Sequence, residues 1–162
     1  MDAFYMPILN YFNEGAIEAC EKDLREAKKT HALIVTDQFL KKTETYQRVL
    51  SILEKTRITY QVFDEVIANP TVSSVKDALN LVAHKTPDVI FSIGGGSAHD
   101  TAKAVSIVLA NGGCIRDYEG INQMHHVGIP IIAINTTAGT ASEMTNFCII
   151  TDETRKVKMA IV

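Results

Sequence analysis

The chain has 162 residues, 46% of them apolar and 22% charged, which fits one globular domain at roughly 150 residues per domain. Its 16 basic and 19 acidic side chains leave a formal charge of −3, without the basic excess that marks a nucleic-acid or anionic-membrane binder. No apolar run approaches the roughly 18 residues of a membrane span, and Met1-Asp2-Ala3 lacks the basic-then-apolar order of a secretory leader, so a soluble, cytoplasmic protein with its own core is expected.

Aromatic residues crowd the start: Phe4, Tyr5, Tyr11 and Phe12 surround Pro7, which is compatible with an edge strand and not a central one. Such a strand either caps the domain or pairs with a second subunit, because an aromatic edge left uncovered invites aggregation. Residues 32–36 are a short β-branched run ending at Asp37 and read as a buried strand. Tyr46, Val49, Leu50 and Leu53 then recur at the spacing of one helix face, and residues 60–63 form the next strand. Helical spacing returns at Val72, Val75, Ala78, Leu79 and Val82, just past the Asn69-Pro70-Thr71 turn. A strand over 88–94, a helix over 98–110 and a fourth core strand over 129–134 follow. This alternation predicts an α/β fold, a parallel sheet with helices on both faces. The end differs: residues 147–151, a turn at 152–155 and residues 157–162 predict a β-hairpin that stops on apolar residues, as a piece of a longer protein would.

Cys20, Cys114 and Cys148 have no C-x-x-C or Cys/His ligand spacing and read as small hydrophobes. His125 and His126 are adjacent in a loop, and His31, His84 and His99 fall on separate elements. These spacings encode no metal site, and the histidines read as surface or loop residues.

The chemistry concentrates in two loops. Gly94, Gly95, Gly96 and Ser97 join a strand to a helix, with Ser97 and Asp100 at the spacing of a capping box. Glycines there let a phosphate reach the free N–H groups at the positive end of a helix dipole. A tight, well-capped turn is the other explanation, and three successive glycines favour ligand approach over it. The run is not a Walker loop, since Lys103 lies seven residues past Gly96 with no glycine beside it. Nor is it the G-x-G-x-x-G dinucleotide fingerprint, since His99 stands where its last glycine belongs. The second loop, Thr136, Thr137, Ala138, Gly139 and Thr140, follows a core strand and continues to Ser142 and Glu143. Its hydroxyls suit a ribose, an amide or a phosphate, or else cap the loop itself. Asp37 closes a third strand. A carboxylate there binds a ribose 2′-hydroxyl and repels a 2′-phosphate, or caps the following helix.

Taken together, Gly94-Gly-Gly-Ser97 with Asp100 and Lys103, Thr136-Thr-Ala-Gly-Thr140 with Ser142 and Glu143, the strand ending at Asp37, and Asn69-Pro-Thr71 resemble the iron-containing (group III) alcohol dehydrogenase family. The likeness covers nearly the whole chain and runs nearest to the branch with 1,3-propanediol and methanol dehydrogenases. The resemblance implies a Rossmann-like N-terminal domain of the dehydroquinate-synthase kind over residues 1–162, with a helical metal-binding domain absent from this chain. It further implies NAD, with NADP disfavoured, held by Gly95, Gly96 and Ser97 at the pyrophosphate, Asp37 at the adenosine ribose, and Asn69, Thr136, Thr137, Ala138, Gly139, Thr140 and Lys158 along the cleft. Phe147 departs from the polar residue some members carry. A divalent metal, iron or zinc, would sit only in the full-length enzyme, which would act on a small alcohol or aldehyde. N-terminal edge strands would join a homodimer, and 162 residues alone would be inactive. A stand-alone nucleotide-binding module and a sugar-phosphate lyase of the same fold are the alternatives.

Overall fold

A computed structural model describes residues 9–162. Four parallel strands, β1 (His31–Val35), β2 (Thr59–Phe63), β3 (Val89–Gly94) and β4 (Ile131–Asn135), form a sheet in the order β2-β1-β3-β4. Every residue of β1 and β3 is buried, as the apolar runs predict for strands covered on both faces. Side chains alternate across the sheet with period two. Ala32, Ile34, Val89, Phe91 and Ile93 face a core with Cys20 and Leu24 of α1 (Ala16–Glu26) and Val49, Ile52 and Leu53 of α2 (Glu44–Thr56). Leu33, Val35 and Ile90 face a second core with Val75 and Ala78 of α3 (Val72–Leu81) and Ala102 and Val105 of α4 (Gly96–Asn111).

Local chemistry sets the helix limits. The Thr43 side chain accepts from the Tyr46 N–H, and Arg57 closes α2 in the left-handed region at φ 60°. Thr71 and Ser74 form a reciprocal capping box at the start of α3, immediately after Asn69-Pro70. α1 went unassigned in the sequence, although Ile17, Cys20 and Leu24 follow one helix face.

The C-terminal hairpin pairs β5 (Cys148–Asp152) antiparallel with β6 (Val157–Ile161), and its Cys148, Ile150, Met159 and Ile161 complete the α3/α4 core. Its turn is pinned by Asp152, which is fully buried and accepts from Arg116 (2.8 and 3.0 Å) and Arg155 (2.7 Å). Those two guanidinium groups hold the Asp152 carboxyl well below the usual carboxylate range.

Two expectations change. The fourth strand is an edge: β4 pairs only with β3 among the described strands and its residues are partly exposed. His31 and His99 are buried. His31 Nδ1 lies 2.8 Å from Thr59 Oγ1 and its Nε2 lies 3.1 Å from Gln61 Oε1. The aromatic N-terminal strand falls mainly on residues 1–8, outside the described residues; of its aromatics, Tyr11 and Phe12 are described and are exposed. Among the described residues no helix is long and apolar enough to cross a membrane.

Candidate functional site

The strand order itself marks a place for a ligand. From β1 the chain crosses through α2 on one face to reach β2, then returns over the other face through α3 to β3 and α4 to β4. Winding therefore reverses between β1 and β3, and a crevice opens at their carboxyl ends, where open α/β sheets bind ligands. Asp37 follows β1 there, and Gly95, Gly96 and Ser97 follow β3.

α4 begins at this edge without any side-chain cap. Its hydrogen bonding starts with the Ala98 and His99 N–H groups on the Gly95 carbonyl, both at 3.1 Å, so Gly96 and Ser97 carry the amides that a helix start leaves without an intrahelical partner. The expected capping box between Ser97 and Asp100 does not form. Asp100 instead accepts from the Ser142 hydroxyl (2.6 Å) and the Ile149 N–H (3.2 Å), turning away from its own helix end toward the hairpin.

Much of the glycine requirement comes from packing. At Gly94, φ is +155° and a Cβ would stand 2.6 Å from Ala98 Cβ. A Cβ on Gly95 would run into the Thr137 hydroxyl, and one on Gly96 would lie 2.9 Å from Thr140 Cγ2. The two loops singled out in the sequence thus lean on each other, so beside the ligand approach expected of them the glycines also permit a close approach of backbone and threonines. The loop is tied further by the Thr136 N–H on the Gly94 carbonyl (2.9 Å) and by Asn135 Nδ2 on the Thr137 carbonyl (2.8 Å).

Behind this contact, Lys103 holds the rest of the loop. Its half-buried ammonium donates to the Ser142 carbonyl and hydroxyl, to Thr145 Oγ1 (3.2 Å) and to the Phe147 carbonyl (2.8 Å). Burial pushes the Lys103 pKa down, opposed by the Asp100 and Glu143 carboxylates. Burial likewise pushes the Cys148 thiol up to about 12 and Cys20 up to about 11, consistent with cysteines that pack and do not react.

A cavity of about 290 Å³ opens beside the helix start. Of the residues expected in the site, Asn69, Gly96, Ser97, Thr140 and Lys158 line it. Asp37, Gly95, Thr136, Thr137, Ala138 and Gly139 do not: Gly95 and Thr137 are taken up with each other, and Asp37 stands at the neighbouring strand. Lys158 Nζ donates to Asn69 Oδ1 at 2.7 Å, so a cation on the hairpin and an amide from the β2–α3 turn meet at the rim. Asp37 Oδ1 accepts from the Phe39 and Leu40 N–H groups, both at 2.8 Å. It thus pins the turn after β1, while Thr43 and not Asp37 caps the following helix, and both bonds go to one of its two oxygens. Asp100, Ser142 and Thr151 also line the cavity and were not singled out as site residues. The 100–142 pairing is fixed only by tertiary contact, and no local pattern announces it. Among the described residues no group of three or more His, Cys, Asp or Glu is placed to hold a metal ion.

Residues 7–162 match the family model described as iron-containing alcohol dehydrogenase. The chain is 46% identical over 162 residues to alcohol dehydrogenase 4 of Schizosaccharomyces pombe, covering 100% of this chain and 38% of that protein. It is 38% identical over 162 residues to the NAD-dependent methanol dehydrogenase of Bacillus methanolicus, covering 100% of this chain and 42% of that protein. Among solved structures, a 1,3-propanediol oxidoreductase superposes with a TM-score of 0.94 at 36% identity, over 100% of this chain and 42% of that one. The chain therefore spans well under half the length of these relatives.

Proposed function

Because this chain belongs to the iron-containing alcohol dehydrogenase family, we propose that it is the nucleotide-binding domain of an NAD-dependent alcohol dehydrogenase. The observation that carries the reading is the start of α4: an uncapped 16-residue helix whose Gly96 and Ser97 border a cavity with Lys158 at its rim. Amides at the positive end of a helix dipole, with an ammonium opposite, are built for a diphosphate. Bound nicotinamide dinucleotide supplies a hydride acceptor and donor for an alcohol–aldehyde pair. The chain's own residues do the holding. Gly96, Ser97 and Lys158 would neutralise the diphosphate, with Gly95 keeping the backbone close. Asn69 and the backbone and hydroxyls of Thr136, Thr137, Ala138, Gly139 and Thr140 would line the rest of the cleft. Asp37 would accept from a ribose 2′-hydroxyl and repel a 2′-phosphate, favouring NAD over NADP.

The divalent metal, iron or zinc, would be held in a second, helical domain of the full-length enzyme. The greater length of the relatives supports that division. The reading also carries a small alcohol or aldehyde substrate, a cytoplasmic location, and a homodimer joined near the N-terminus, where Tyr11 and Phe12 are exposed.

Equilibrium titration of the chain with NADH and NADPH tests the proposal. NADH should bind more tightly than NADPH, Asp37→Ser should erase the difference, and Lys158→Ala should weaken both by about tenfold. Equal affinities in the unmodified chain would remove Asp37 from its role, and no binding of either nucleotide would remove the function.

A further inference from the structure

We propose that His99 is a positioning residue for the nucleotide site: its imidazole bridges Ser92 and Asn135 and so fixes the 136–140 loop against the glycine turn. The inference rests on the cofactor reading above for its consequence, and on hydrogen-bond geometry for its substance. His99 is 1% exposed, so its ring acts from behind the site surface and through its neighbours. Its Nδ1 lies 2.7 Å from Ser92 Oγ, a fully buried hydroxyl in β3, and its Nε2 lies 3.3 Å from Asn135 Oδ1 at the end of β4.

The donor and acceptor roles form one consistent chain. Asn135 gives its Nδ2 hydrogen to the Thr137 carbonyl, which leaves Oδ1 to face the ring. That oxygen only accepts, so Nε2 carries the ring hydrogen, and Nδ1 accepts from the Ser92 hydroxyl. Each group has the partner its chemistry demands, with a neutral ring in the middle. A buried hydroxyl and a buried imidazole carry a desolvation penalty that two apolar side chains would avoid. What the pair achieves in return is a fixed Asn135 amide, and through it a fixed Thr137, whose side chain fills the space over Gly95.

The test combines amide exchange of the full chain without nucleotide and NADH affinity, in His99→Leu, His99→Gln, Asn135→Ser and the His99→Leu/Asn135→Ser pair. His99→Leu should speed exchange at residues 136–140 by about tenfold, leave β1 protected, and weaken NADH by about tenfold. His99→Gln should restore both readouts toward the unmodified values, because an amide offers one acceptor and one donor at similar separation. Asn135→Ser should reproduce the leucine variant, and the double variant should be no worse than either single one. Unchanged exchange at 136–140 in His99→Leu and Asn135→Ser, or a glutamine variant as damaged as the leucine one, would overturn the proposal. Should His99→Leu fail to fold, Asn135→Ser, at an exposed position, decides the matter alone. If exchange responds as expected but the unmodified chain binds no NADH, the cofactor reading falls and the positioning role stands.

Discussion

His99 and Lys103 lie one turn apart on α4 and are both pushed down in pKa by burial, with opposite outcomes for their charge. Lys103 meets two carbonyls and two hydroxyls, a set of acceptors that favours the ammonium against the burial that opposes it. Lys103→Met would leave the Ser142 and Phe147 carbonyls without their donor and should lower stability by about 2–3 kcal/mol in denaturant titration. His99 begins near 6.5, and burial outweighs the help of Asn135 and the nearby Glu143 and Asp100 carboxylates, while Lys103 adds to the lowering. The unfolded chain therefore takes up this proton first as pH falls. The stability due to a neutral His99 is complete above about pH 6.5 and is lost progressively below it. Denaturant titrations at pH 7.5 and 5.0 should show a loss in the unmodified chain that His99→Gln reduces; an equal loss in both would exclude His99 as the source.

At the scale of elements, the meeting of the glycine turn with the threonine loop decides what each glycine does. Gly94→Ala sets a methyl against Ala98 Cβ, which cannot rotate away, at a φ that suits glycine. It should cost about 2–3 kcal/mol. Gly95→Ala meets the Thr137 hydroxyl, the end of a side chain that can turn, and should cost about 1–2 kcal/mol, with partial rescue by Thr137→Ala. Thermal melts of the three variants check that order; a Gly95→Ala variant as damaged as Gly94→Ala, and not rescued, would contradict it. Residues 93–103 and 136–143 stand out in the sequence as candidate site loops by their composition and their places after strands. Their mutual packing was not. Ser97 and Asp100 match a capping box by spacing, yet Asp100 finds Ser142 and the Ile149 N–H, partners 42 and 49 residues away, and a tertiary bond overrode a local one.

Across the whole molecule, alternating strands and helices could be read from β-branched runs and helical spacing, because β1 and β3 are buried on both faces and α2 and α3 on one. The order β2-β1-β3-β4 was not legible. No local pattern states which neighbour a parallel strand chooses, and β4, as apolar as the central strands, is an edge among the described strands. That order is what gives the site its meaning, since reversal of winding between β1 and β3 brings Asp37 and the start of α4 to one sheet edge. On the proposed function, a dinucleotide would lie across this edge. Nuclear magnetic resonance of the isotope-labelled chain, titrated with NADH, tests it most directly. Amide shifts should concentrate at Gly96, Ser97, Thr140 and Lys158 and extend past Asp37 at the end of β1, with α1 unmoved. Saturable shifts confined to α1 and the outer face of α2, or no saturable shifts, would contradict it.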